Sequence, residues 1–274
     1  NLTANAQLGE SWLVSGAFAQ GRLDDPTLPG SVSAIEGHWS AAPEDGKPVI
    51  RVQAAQALLA ALTPDSQEEQ PLFHTLRITD LTGELRDGQI AARGDIVLEE
   101  GARQLAHFTA QHDVSAGAGR ANILADNIIF GPALQPYDIS ELARGTVDNV
   151  RGPAAAEATI SWDEQHLASS GALHLNGVSL STGTIPIIQD VRGDIAFDDL
   201  FDLTTPPHQR LPVGLINPGI AVNNGDIAFQ LLPDQRVAIE QAVFDFASGK
   251  LSLQPTTIAL GADETRFELA LRDV

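Results

Sequence analysis

Apolar side chains recur at every second position in many short segments of this chain, and this alternation constrains its fold more than any other feature. In residues 225–231, Ile227, Phe229 and Leu231 share one face, and small or polar side chains occupy the other. A period of two is typical of half-buried strands, whereas an amphipathic helix repeats every 3.6 residues. The same pattern recurs at Ile160 and Trp162, Leu173 and Leu175, Val178 and Leu180, Ile195 and Phe197, Val237 and Ile239, Leu251 and Leu253, and Phe267, Leu269 and Leu271. The sequence therefore predicts a mainly β protein.

Glycine-containing turn sequences separate several of these segments. They are Arg86–Gly88, Leu175–Gly177, Asn223–Gly225 and Ala247–Gly249. Asn-Gly and Asp-Gly pairs adopt the positive φ angles that two-residue hairpin turns require. We therefore expect an antiparallel sheet, which would be elongated and curved into an open, taco-like groove if no second layer closes its apolar face.

One break in the alternation predicts a β-bulge. Val237 and Ile239 have one parity, whereas Phe244 and Phe246 have the other. An extra residue near Gln241–Val243 would bring both pairs to the same face.

Two segments favour short helices instead. Gln53–Leu62 is rich in alanine and leucine and stops before Pro64. In Asp138–Arg144, Asp138 would be the N-cap and Gly145 would end the helix.

The acidic segment Pro64–Pro71 predicts a solvated loop that divides the chain. Residues 1–70 would be a β/helix portion of the same groove or of a preceding unit. Residues 71–274 would form the main β-groove domain.

Composition excludes several classes of function. The chain has 36 acidic and 16 basic residues, a formal net charge of −20, no cysteine and no methionine. The negative charge argues against nucleic-acid binding, which needs a basic surface. The lack of cysteine excludes disulfides and cysteine-ligated metal sites. The missing methionine indicates a processed chain or a piece of a longer one. The absence of cysteine fits a bacterial envelope compartment, and no apolar run is long enough for a transmembrane helix.

The sequence offers no convincing catalytic or metal site. The seven histidines show no metal-ligand spacing. The carboxylate pairs Asp24–Asp25 and Asp198–Asp199 would point to opposite faces of a strand, which argues against a glycosidase. We therefore expect no enzyme activity, no cofactor and no metal, with a β-helix polysaccharide-acting enzyme as a remote alternative.

The apolar face itself is the positive signal, and it has two interpretations. It is either the core of an ordinary sandwich, closed by a second layer, or an open groove that accepts acyl chains. Aliphatic lining suits lipid tails, because burial of apolar surface contributes about 25 cal/mol per Å² without specific partners. The shortage of covering helices favours the groove.

Several strings in the second half of the chain resemble one bacterial family. They are Gly193–Leu200, Leu203–Pro207, Leu211–Gly219 and Asn224–Leu231, together with Leu134–Gly145 and Glu240–Gly249. The chain resembles the YdbH-type family, whose region carries the legacy name "dicarboxylate transport" domain, in the AsmA-like group. The resemblance covers about residues 130–260 and, more loosely, residues 75–130. A dicarboxylate would need clustered Arg or Lys, which the apolar face lacks.

The resemblance implies a non-enzymatic conduit for phospholipids between the inner and outer membranes. It implies a periplasmic location, an inner-membrane anchor through an N-terminal helix outside this sequence, and an outer-membrane lipoprotein as a partner. The alternatives are a structural scaffold module of the envelope or a dicarboxylate-binding protein. The residues predicted to line the lipid groove are Ile160, Trp162, Leu173, Leu175, Ile195, Phe197, Leu215, Ile227, Phe229, Leu231, Val237, Ile239, Leu251, Leu253, Phe267 and Leu269.

Overall fold

Strands make up nearly all of the regular structure. The computed structural model describes residues 2–7, 12–23, 30–61, 71–99, 103–259 and 268–272. Their strands are β1 (Asn5–Gln7), β2 (Leu13–Leu23), β3 (Gly30–Glu44), β4 (Lys47–Ala61), β5 (Leu76–Arg86), β6 (Gln89–Leu98), β7 (Arg103–Asp113), β8 (Ala118–Phe130), β9 (Asp148–Trp162), β10 (Leu167–Ser181), β11 (Ile187–Phe197), β12 (Gln209–Asn217), β13 (Val222–Leu232), β14 (Arg236–Phe246), β15 (Gly249–Leu253), β16 (Thr256–Ala259) and β17 (Leu269–Arg272). The helical residues described are α1 (Pro136–Ile139) and a 3-10 turn at Glu141–Ala143.

The strands form an antiparallel meander. From β1 to β8, and again from β10 to β15, each strand pairs with the next one in the sequence. At the last described strands, β14 also pairs with β16, and β15 pairs with β17. The seventeen strands described belong to one open sheet. The prediction of a long antiparallel sheet with little helix is confirmed.

The chain divides into two compact units. Unit 1 comprises Asn1–Ala125 and Thr159–Ala168, and unit 2 comprises Asp126–Ala158 and Ser169–Val274. The predicted loop Pro64–Pro71 lies almost entirely outside the described residues. On either side of it, β4 and β5 pair along their length within unit 1.

Positive φ angles inside strands mark a series of β-bulges. Asp80 has a φ of 51°, Asp190 of 58° and Asn224 of 47°. The pairing register shifts beside each of them. Asp and Asn tolerate this left-handed conformation better than other non-glycine residues because their short side chains form local hydrogen bonds. The bulges allow long strands to bend without ending.

These bulges explain two wrong turn predictions. Hairpin turns do occur at Arg86–Gly88 and Ala247–Gly249, as predicted. Leu175–Gly177 and Asn223–Gly225, however, lie inside β10 and β13, where Gly177 and Asn224 are bulge residues. An Asn-Gly pair supplies a positive φ equally well to a bulge and to a hairpin turn.

The predicted bulge in β14 lies next to its expected position. Ala228 pairs with Gln241, and the next residue, Phe229, pairs with Ile239. Glu240 is therefore the extra residue, immediately before the predicted Gln241–Val243. The shift brings Phe244 to the same face as Ile239.

The helix predicted at Gln53–Leu62 is wrong, because residues up to Ala61 belong to β4. Ala54 and Ala57 are each 1% exposed, between β3 on one side and β5 on the other. Gly37 of β3 comes so close to Ala54 that a methyl group added at Gly37 would lie 2.6 Å from the Ala54 Cα. Pairing on both sides outweighs the helix propensity of alanine, which is a weak preference.

The second predicted helix is shorter than expected and begins earlier. Asp138 is not the N-cap; it lies in the first turn of α1 and accepts a hydrogen bond from the Gln135 backbone N–H at 2.7 Å. The Gln135 side chain donates to the Val150 carbonyl at 2.8 Å and accepts from the Val150 N–H at 2.9 Å. These bonds hold the helical loop against β9.

Candidate functional site

Directly paired residues on adjacent strands point to the same side of the sheet, so the strand pairing shows which side chains share a face. The two faces identified in this way differ in chemistry. In unit 2, Leu173 pairs with Ile195, and Leu211 pairs with Ile227. Further along the same face, Leu231 pairs with Val237. We call this surface the apolar face of unit 2. Its other pairs are Phe229 with Ile239, Phe244 with Leu251, Ala242 with Leu253, and Leu253 with Leu269.

Side chains of this face pack against one another into one cluster. Val222, Ala242 and Phe244 are 7%, 2% and 8% exposed. The half-buried side chains around them are Ile216, Ile227, Ile239, Phe246, Leu251 and Leu253. The described helices are one short turn of α-helix and one 3-10 turn, so no helical layer of described residues covers this cluster.

Most of the predicted lining residues of unit 2 come together on this face. They are Leu173, Leu175, Ile195, Phe197, Ile227, Phe229, Leu231, Val237, Ile239, Leu251, Leu253 and Leu269. Phe267 lies outside the described residues.

Leu215 is placed on the opposite face. It pairs with Gln189 and Asn223, which are both exposed, whereas its neighbour Ile216 pairs with buried Val222. The bulges at Asp190 and Asn224 lie on the two strands that flank β12 and change the alternation there. Ile216 therefore occupies the place predicted for Leu215.

Sequence reasoning missed further members of the face. Leu211 and Val213 alternate in β12, and Val213 is 4% exposed. Their period-two spacing was the available signal. Val222 was harder to identify because its parity relative to Ile227 depends on the bulge at Asn224.

Unit 1 has a corresponding apolar face, on which Ile160 and Trp162 lie. The Trp162 ring stacks on His112 with ring centroids 6.1 Å apart, and its Nε1 donates to His112 Nδ1 at 3.2 Å. Buried side chains of this face include Ala54, Ala57, Leu76, Ile78, Ile96 and Ala106. Many of these are smaller than the buried side chains of unit 2.

The opposite, polar face of unit 1 carries a network of charges. Arg51 contacts Glu44 at 2.6 Å and Glu84 at 3.0 Å, and Arg86 bonds to both carboxylates. The hydrogen bond from Arg51 lowers the pKa of Glu44 below its usual value. The pairs are solvent-exposed, so each contributes little to stability. They are consistent with the prediction that charge collects on the solvated face.

A cleft of unit 1 with a volume of about 1170 Å³ lies along this polar face. It crosses seven strands, from β1 to β7, and its charged lining residues are Arg51, Glu84 and Arg93. The Arg93 Nε donates to Thr82 Oγ1 at 3.2 Å. The cleft therefore differs in chemistry from the apolar face.

Three exposed histidines, one in unit 1 and two in unit 2, each pair with a single carboxylate. Their Nδ1 atoms lie 2.7 Å from Asp95 for His107, 2.7 Å from Asp194 for His174 and 2.6 Å from Glu240 for His208. Among the described residues, no three His, Asp or Glu side chains come together as a metal site requires. The described helices also include none that would span a bilayer.

Comparison with known proteins assigns the family. The family model described as "YdbH-like: Intermembrane phospholipid transport protein YdbH" matches residues 5–274. This match extends the resemblance seen in residues 130–260 to almost the whole chain. No curated protein and no solved structure matches the chain significantly. The family is one of lipid transport rather than of enzymes. The chain belongs to the YdbH-like family of intermembrane phospholipid transport proteins.

Proposed function

We propose that the apolar face of unit 2 is a track for phospholipid acyl chains, with the headgroups directed to water. The observation that carries this proposal is the cluster around Val222, Ala242 and Phe244, which no helical layer of described residues covers. Each methylene group moved from water onto such a surface contributes about 0.8 kcal/mol, so a chain of many methylenes needs no polar anchor.

The proposed track includes most of the predicted residues, with Ile216 in place of Leu215. Leu211 and Val213 extend it between Ile195 and Ile227. Ile160 and Trp162 would contribute a corresponding surface in unit 1. Aliphatic side chains bind acyl chains without fixed geometry, which suits movement along the track more than tight retention.

The chain acts without a catalytic step in this proposal. Its location is the periplasm, with an inner-membrane anchor and an outer-membrane lipoprotein as partner. The support for these points is the family's intermembrane phospholipid transport and the resemblance in residues 130–260.

Two neighbouring residues of β13 provide the test. Ile227 lies on the apolar face, and Ala228 lies on the opposite one; both are half-buried. Ile227→Asp places a carboxylate in the track, where no partner offsets its desolvation. Ala228→Asp adds the same charge opposite Arg210.

Native mass spectrometry of the purified chains should show bound phospholipid in the wild type and in Ala228→Asp. It should show none in Ile227→Asp, and Leu251→Asp should behave in the same way. Equal phospholipid content in folded Ile227→Asp and the wild type would contradict the proposal.

A scaffold function is the second candidate. Leu269 and Leu271 of β17 are 59% and 57% exposed, and together they present an apolar surface at one edge of the sheet. Such a patch is typical of protein–protein contacts. A wild-type chain that carries no phospholipid but forms a stable complex with an envelope protein through β17 would favour the scaffold.

A further inference from the structure

Aromatic rings on the apolar faces lie over glycines of neighbouring strands. At Gly225, an added methyl carbon would lie 2.4 Å and 2.6 Å from two ring carbons of Phe244. At Gly94, it would lie 2.9 Å from a ring carbon of Phe108. The other two pairs are Gly16 with Trp39, and Gly119 with Trp162. At Gly16 the Thr3 carbonyl oxygen lies nearer to the added methyl than the Trp39 ring does, whereas in the other three pairs the ring is the nearest group.

Gly225 gives the clearest case because the ring is its main obstacle. The next nearest atom to the added methyl is the Val213 carbonyl oxygen, at an ordinary contact distance of 3.5 Å. Gly225 does not have a positive φ angle, so its backbone does not itself require glycine. The glycine is needed at this position for the ring of Phe244.

Packing contacts with neighbouring side chains hold the ring of Phe244 against the sheet. It is 8% exposed and packs in the cluster with Val222 and Ala242. Leu251 is paired with Phe244 on β15, so the ring is flanked by side chains on both sides. A methyl group at Gly225 would therefore displace the ring from its position against the sheet.

We propose that Gly225 and Gly94 are positioning residues that let aromatic rings lie against the sheet and so keep the space above the apolar face free for acyl chains. The inference rests on the proposed function, because the space matters only if lipid occupies it. It differs from the ordinary role of turn glycines. Gly46 and Gly88 have positive φ angles and no heavy atom within 4 Å of an added methyl.

The experiment compares bound phospholipid in the full chain and four variants. They are Gly225→Ala, Phe244→Leu, the double variant Gly225→Ala/Phe244→Leu, and Gly183→Ala as the matched control. Gly183 lies in unit 2, has no positive φ and has open space around an added methyl. Phospholipid per chain is measured by extraction and mass spectrometry after exposure to vesicles of phosphatidylethanolamine and phosphatidylglycerol.

We expect Gly225→Ala to carry about tenfold less phospholipid than the wild type, a change that corresponds to about 1.4 kcal/mol. Gly183→Ala should bind as the wild type does. The double variant should carry as much phospholipid as Phe244→Leu alone, because the leucine leaves room for the added methyl. If the double variant binds more phospholipid than Gly225→Ala does, the loss in Gly225→Ala comes from displacement of the Phe244 ring and not from general damage to the sheet.

The outcomes distinguish the inference from the proposed function. A wild type without phospholipid would overturn both. A folded Gly225→Ala with wild-type phospholipid content, or a folded double variant that carries less phospholipid than Phe244→Leu alone, would overturn the inference alone. If Gly225→Ala does not fold, Gly94→Ala with and without Phe108→Leu gives the same test in unit 1.

Discussion

The two units use the same alternation but fill their apolar faces with different side chains. In unit 1, several buried positions of this face are alanines, such as Ala54, Ala57 and Ala106. In unit 2, Ala154 and Ala242 are buried as well, but most of the buried side chains are branched or aromatic: Val178, Val191, Ile195, Val213, Val222, Phe229 and Phe244. Larger side chains remove more apolar area from water. Each of these larger side chains in unit 2 therefore gains more from burial than an alanine of unit 1 does.

The faces that carry the clearest features also differ. In unit 1 a cleft of about 1170 Å³ is on the polar face, beside Arg51 and Arg93. In unit 2 the described core cluster is on the apolar face. The same alternating strand pattern therefore presents one polar and one apolar surface. The side chains of each unit determine whether the cleft or the packed cluster is its main feature.

Removal of a phenyl ring should separate the two units most strongly. Phe244→Ala in unit 2 removes a ring that is 8% exposed, and we expect it to lower the free energy of unfolding by about 3–5 kcal/mol. Phe108→Ala in unit 1 removes a half-buried ring and should cost about 1–2 kcal/mol. Urea unfolding followed by circular dichroism measures both. Equal losses would show that the side-chain difference between the units has no energetic weight.

Loss of a buried amide in unit 2 should have the next largest effect. Gln135 is 6% exposed, and its side chain bonds both the N–H and the carbonyl of Val150. Gln135→Leu leaves these groups without that partner and should cost about 2–3 kcal/mol. Gln209→Leu, at a half-buried glutamine of β12, serves as the comparison. Hydrogen exchange at the Val150 amide should accelerate only in the Gln135 variant; unchanged protection would contradict the assigned role.

The bulge at Asn224 should show a smaller effect that depends on backbone conformation. A β-branched residue is strained at a φ of 47°, so Asn224→Val should cost about 1–2 kcal/mol. Asn223→Val, one residue earlier and outside the left-handed region, should be close to neutral. Asn224→Gly should retain most of the wild-type stability. A greater loss in the glycine variant than in the valine variant would show that the Asn224 side chain, which bonds Asp245 at 2.8 Å, matters more than the φ angle.

The smallest expected effect is an acid sensitivity in unit 1. The hydroxyl of Ser115, the backbone N–H groups of Ala116 and Ser115, and Gln89 donate to Asp113 and hold its pKa at about 2. The pKa of Asp113 is lower in the folded state than in the unfolded state, where it is near 4. The ionised carboxylate therefore stabilises the fold at pH values above about 4. That stabilisation is lost as the pH falls towards 2.

Asp113→Asn should therefore flatten the fall in melting temperature between about pH 5 and pH 2. Asp226→Asn, in unit 2 and bonded to the single residue Arg210, is the control. Parallel pH profiles for Asp113→Asn and the wild type would exclude this contribution.

The strands and most of the apolar face could be predicted from the sequence, because apolar residues recur at every second position wherever a strand is regular. The assignment of side chains to one face or the other failed where a strand contains a bulge. Leu215 and Ile216 have equal hydrophobicity, and only the register at Asp190 and Asn224 decides which of them is on the apolar face. The alanine-rich segment of β4 failed for a different reason. Its structure depends on pairing with β3 and β5, which local propensity does not contain.

The most direct test of the central claim is fluorescence quenching at neighbouring positions of β13. Trp12, Trp39 and Trp162 are first replaced by phenylalanine, and a single tryptophan is introduced by Ile227→Trp or by Ala228→Trp. Each chain is titrated with phospholipid brominated in the middle of its acyl chains, which quenches only rings close to the bromines. If the apolar face holds acyl chains, the tryptophan at 227 is quenched strongly and the one at 228 weakly. Equal quenching at both positions, or stronger quenching at 228, would contradict the account.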